Sequence, residues 1–60
     1  MTLNEAQWIV HYVVTSFDPD DVGRILIDRC AVDREFCHIL ARHGDQIFAA
    51  VIESLTATVH

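Results

Sequence analysis

The chain contains no lysine, and its four basic residues, all arginine, stand against nine acids for a formal charge of −5. Sequence-independent nucleic-acid binding rests on neutralising phosphates, so this balance disfavours it for the chain as a whole. No apolar run approaches the ~18 residues of a membrane span, and no basic stretch leads into an apolar one near Met1. A soluble, cytoplasmic protein is therefore expected. There is no Cys-x-x-Cys pair, no glycine-rich phosphate loop and no nucleophile elbow. Linkers, repeats of known period and low-complexity tracts are also missing, and no family resemblance is evident.

What is present is short and apolar. Sixty residues make one domain, and a chain of that length buries only about 60% of the surface it exposes when unfolded. Against an ordering cost of roughly 1.5 kcal/mol per residue, its core alone leaves stability near zero. A hydrophobic fraction of 52% exceeds what so small an interior hides, which predicts a homodimer. The two cysteines suit a reducing compartment, where both are thiols.

The apolar periodicity predicts an all-α fold, a compact bundle of four short helices over residues 3–16, 19–31, 34–43 and 46–58. Thr2 and Glu5 have the spacing of a capping box for the first helix. Its apolar stripe is Leu3, Ala6, Ile9, Val10, Val13, Val14 and Phe17. The run Trp8 to Thr15 is rich in strand formers, but it does not alternate and has no second strand-like segment to pair with. Asp18 before Pro19 predicts the second N-cap, with Phe17 and Val22 spaced as a hydrophobic staple. Asp20 and Asp21 then complement the helix dipole, which accounts for the acid cluster locally. Val22, Ile25, Leu26 and Cys30 are expected inside, and Gly23 suggests a close helix crossing. Asp33 repeats the cap, with Phe36, Cys37, Leu40 and Ala41 inward. Gly44 is expected to end the third helix in left-handed backbone, and Asp45 to cap a fourth with Ile47, Phe48, Val51, Ile52, Leu55 and Val59 on its apolar stripe.

Five sets of residues invite a chemical reading. Cys30, Cys37, His38 and His43 are zinc-ligand types, but adjacent Cys37 and His38 diverge by about 100° on a helix, and both cysteines fall on apolar faces. Core thiols are the expected reading, and no metal or cofactor is expected. Ser16 and Ser54 lack a nearby base, and a chain of this size encloses no pocket of the usual ~300 Å³, so no enzymatic chemistry is expected. Arg34, His38 and Arg42, at i, i+4 and i+8, form a basic line that fits an acidic protein partner or, in a helix-turn-helix, the DNA major groove; a merely solvated face is the commoner outcome. Asp33 and Glu35 at the start of that helix weigh against DNA. The four histidines, His11, His38, His43 and His60, are too scattered to make a pH switch. Trp8 and Tyr12 stand outside the stripe of the first helix, one turn apart, either in the core or at an interface with a second copy or another protein. The residues expected to bind a partner are therefore Trp8, Tyr12, Arg34, His38 and Arg42. The expected function is a small protein-binding regulator, inhibitor or adaptor, with a dimeric helix-turn-helix DNA binder as the alternative.

Overall fold

Thr2 lies in extended backbone and accepts the Glu5 amide on its hydroxyl at 3.2 Å, which starts α1 (Leu3–Ser16). A computed structural model of the chain describes residues 1–58. Phe17 stops α1 by turning extended, with its amide still donating to the Val13 carbonyl at 3.2 Å. After Asp18 the chain enters α2 (Pro19–Val32), with proline in the first turn, where a missing N–H does no harm. The Asp18 carboxylate does not cap this helix, contrary to expectation. Its carbonyl instead accepts from the amides of Asp21 and Val22 at 2.9 and 3.2 Å.

Asp33 alone separates α2 from α3 (Arg34–Thr58). Its amide donates back to the Arg29 carbonyl at 2.9 Å, while its side-chain Oδ1 accepts the Phe36 amide at 3.1 Å, so one residue closes one helix and caps the next. The described residues therefore form three helices and no strand, an all-α chain with one fewer helix than the periodicity predicts. The expected break between a third and a fourth helix survives as a kink inside α3, at His43 (φ −127°, ψ 19°). Because His43 absorbs the bend close to the bridge region, Gly44 needs no left-handed backbone and adopts none, and Asp45 sits within the helix and does not cap it.

The core lies where the three helices meet. It comprises Ala6, Val10 and Val13 from α1, Leu26 from α2, and Phe36, Ile47 and Val51 from α3. Each buried large aliphatic or aromatic side chain contributes about 1.5–3 kcal/mol. Ile9, Val14, Val22, Ile25, Cys30, Ile39, Leu40 and Leu55 pack around it half-buried. Several positions assigned to the interior lie outside it: Leu3, Phe17, Cys37, Ala41, Phe48 and Ile52 are exposed. A single neighbouring helix covers only part of a broad apolar stripe, and three helices leave the edges of each stripe in water. Val59 falls outside the described residues. Gly23 is exposed, and nothing comes within 4 Å of where a Cβ would stand, so no close crossing explains it.

The Cα envelope measures 36 × 23 × 15 Å, a thin slab. Its accessible surface of 4486 Å² is roughly 500 Å² more than the ~4,000 Å² of a close-packed monomer of this mass. Among the described residues, no helix is long and apolar enough to cross a membrane.

Candidate functional site

Trp8 and Tyr12 are in the solvent, 65% and 63% exposed, which removes them from the core. They stand one turn apart on α1 and are held by neighbouring rings. Trp8 meets His11 edge-on with centroids 5.9 Å apart, and Tyr12 meets Phe17 edge-on at 6.2 Å. Such pairs restrict large side chains that would otherwise sample several rotamers in water.

Beside them runs a groove of about 400 Å³ between α1 and α2. One wall is Trp8, Ile9, Tyr12 and Val13, closed at the end of α1 by Phe17; the other is Ile25 and Arg29. The lining is apolar except for the Arg29 guanidinium and the polar edges of the Trp8 and Tyr12 rings. Arg29 approaches Asp33 Oδ2 at 3.5 Å, a long contact between an exposed guanidinium and a half-buried carboxylate that contributes about 1 kcal/mol at most. A much smaller cavity of about 90 Å³ lies on the other flank of Trp8, against Gln7, His11, Val51 and Ser54.

The expected basic line is only partly assembled. Arg34 and His38 share a shallow depression with Met1, Glu35 and Ile39, whereas Arg42 belongs to a separate one around the His43 kink. All three side chains are exposed. Among the described residues the ion pairs are Met1 amine with Glu35, Arg24 with Asp21, and Arg29 with Asp33, so Arg34 and Arg42 stand outside all of them. Glu35, the acid placed to neutralise Arg34 or His38, is taken instead by the Met1 ammonium. The Glu35 hydrogen bond and then its charge raise the pKa of that amine.

Cys30 is half-buried at the end of α2, and Cys37 is exposed in the first turns of α3. Burial pushes the Cys30 thiol pKa up, and a hydrogen bond with the Cys37 thiol adds to the rise. No group of three or more His, Cys, Asp or Glu side chains is placed to hold a metal ion among the described residues. Ser16 and Ser54 are exposed.

The five expected binding residues thus occupy two separate surfaces: Trp8 and Tyr12 on the groove, and Arg34, His38 and Arg42 along α3. Ile9, Phe17, Ile25 and Arg29 also line the groove and are not among those five. The first three fit the apolar stripes, so periodicity assigns them to the core. Arg29 carries a signal in the sequence, because it follows Ile25 by four residues and Asp21 by eight on one face of α2. No protein-family model matches the chain, and neither curated proteins nor solved structures give a significant match.

Proposed function

We propose that this chain works by stoichiometric protein binding, as a small homodimeric regulator, inhibitor or adaptor that occupies the surface of a larger protein and carries out no reaction of its own. The observation that supports this most is the pair Trp8 and Tyr12, set on the rim of an apolar groove and left in water. Exposed aromatics beside such a groove mark contact sites, because they bury large areas at low entropic cost. The basic line of Arg34, His38 and Arg42 is a separate surface that suits an acidic region of the larger partner. The test is capture of the partner from the source cell, with sedimentation of the purified chain alongside. Trp8→Ala and Tyr12→Ala are expected to weaken self-association or capture. If both variants left both properties unchanged, the groove would not be the binding surface.

DNA binding is a second reading, favoured by Arg34 and Arg42 standing exposed outside any ion pair found among the described residues. The corner between α2 and α3 weighs against it, since a helix-turn-helix uses a turn of about 3–4 residues and here only Asp33 intervenes. Gel shifts across a salt series test it. Groove binding predicts a steep loss of affinity with salt, with a slope reduced by about one for each phosphate-contacting arginine removed. No shift at low salt would end that reading.

A further inference from the structure

The groove has a polarity along its length. Asp21, Ile25 and Arg29 follow one another at i, i+4 and i+8, so they form a single line on α2, acid then apolar then base, about 12 Å from end to end. Ile25 and Arg29 line the groove, and half-buried Asp21 lies one turn further toward its Phe17 end. The chain reverses through Phe17 and Asp18, so Phe17 and Asp21 share one end of the groove while Trp8 and Arg29 share the other. Each charged group has a partner within the chain at a long 3.5 Å, exposed Arg24 for Asp21 and half-buried Asp33 for Arg29. Pairs of that kind exchange readily for better ones.

From this polarity we infer that the occupant of the groove is a second copy of the same chain, related by a two-fold axis that passes near Ile25 and Tyr12. The inference rests on the protein-binding reading above and assigns its apolar groove. A two-fold rotation sets Asp21 of each copy against Arg29 of the other and Trp8 against Phe17, and it brings Ile25 and Tyr12 onto their own counterparts. Isologous contacts require this self-complementarity. An apolar helix from an unrelated protein would instead have to supply a base at one end and an acid at the other. The surface favours the same occupant: the slab is only 15 Å thick and leaves roughly 500 Å² more in water than a close-packed monomer does, more than half of the ~800 Å² per partner that a stable interface buries. Arg34, His38 and Arg42 lie on α3, away from this contact, so the dimer would offer the basic line twice.

Charge reversal with sedimentation equilibrium of the full chain tests the axis. D21R places two arginines together at each end of the interface and R29D places two aspartates together, so each is expected to weaken dimerisation by more than about tenfold. Combining D21R and R29D in one chain is expected to restore the dimer. Mixing the two single variants is expected to restore it too, because every charged contact across the mixed dimer is then between opposites. D20R loses the same favourable charge near the start of α2 but lies off the line, and it is expected to dimerise as the original chain does; circular dichroism confirms that each variant remains helical. A monomeric original chain, a D20R variant as weak as D21R, or failure of both combinations to rescue would overturn the inference. A dimer broken by Tyr12→Ala but not rescued by the charge exchange would overturn the axis alone and leave the groove as a binding surface. Indifference of self-association and partner capture to both Trp8→Ala and Tyr12→Ala would overturn both readings.

Discussion

Asp33 holds Phe36: its carboxylate Oδ1 accepts the Phe36 amide at 3.1 Å, which fixes the first turn of α3 at the point where the Phe36 ring enters the core and becomes fully buried. The cap and the anchor are three residues apart, so the direction of α3 and the filling of the interior depend on each other. Asp33→Ala is expected to lower the unfolding free energy by about 1 kcal/mol, the usual effect of losing an N-cap. Asp33→Asn keeps an accepting oxygen and is expected to retain most of that stability. Urea titrations followed by circular dichroism measure both, and equal losses would show that the charge, not the cap, matters.

Gly23 occupies a helical, exposed position with open space where a Cβ would stand. Gly23→Ala is therefore expected to stabilise the chain by about 1 kcal/mol through helix propensity and a less flexible unfolded state. A thermal melt at matched concentration reads this directly. A lower midpoint would reveal a contact at Gly23 made by something outside the monomer.

The Met1 ammonium has a raised pKa because Glu35 accepts its hydrogen bond and carries the opposite charge. A cation whose folded pKa exceeds its unfolded value contributes stability that is complete below the unfolded pKa and lost as pH rises through the folded one. Unfolding midpoints are thus expected to fall as the pH is taken upward from about 8. Glu35→Gln should remove the part of that fall that belongs to the amine. An unchanged pH profile in Glu35→Gln would show that the contact adds nothing in solution.

Burial, followed by the hydrogen bond with Cys37, raises the pKa of the Cys30 thiol and disfavours the reactive thiolate. Cys37 is exposed and is expected to be alkylated first by iodoacetamide at mildly alkaline pH, with Cys30 following only at higher pH or after unfolding. Peptide mass spectrometry of a time course gives the order. Raised Cys30 also has a stability consequence of the same sign as the amine: the unfolded thiol ionises first, so stability declines at high pH.

The helical class and two of the four expected caps could be read from local chemistry. Thr2 and Asp33 cap as expected, accepting the amides of Glu5 and Phe36, because a cap is decided within three residues. The core positions Ala6, Val10, Val13, Leu26, Phe36, Ile47 and Val51 all lie on the expected stripes. What periodicity could not give was how much of each stripe would be covered. Phe48 and Ile52 continue the α3 stripe and Phe17 ends that of α1, yet all three face water, since coverage depends on how many helices meet and at what angle. Likewise the glycine at 44 signals a helix end, but the bend is taken one residue earlier by His43, without a left-handed residue. The groove was hidden for the same reason: Ile9 and Ile25 look like core residues until the arrangement of α1 and α2 leaves a gap between them.

Asp33 is the one residue between α2 and α3, and the bend it makes keeps α2 folded back against its neighbours. Were that corner to straighten, α2 would run on into α3 as far as the His43 kink, a single rod of about 36 Å, as long as the whole molecule. Such a rod would carry Leu26 and Phe36 away from each other and leave each to be covered by the corresponding element of another molecule. The turn at Asp33 is thus what lets one chain cover both side chains by itself.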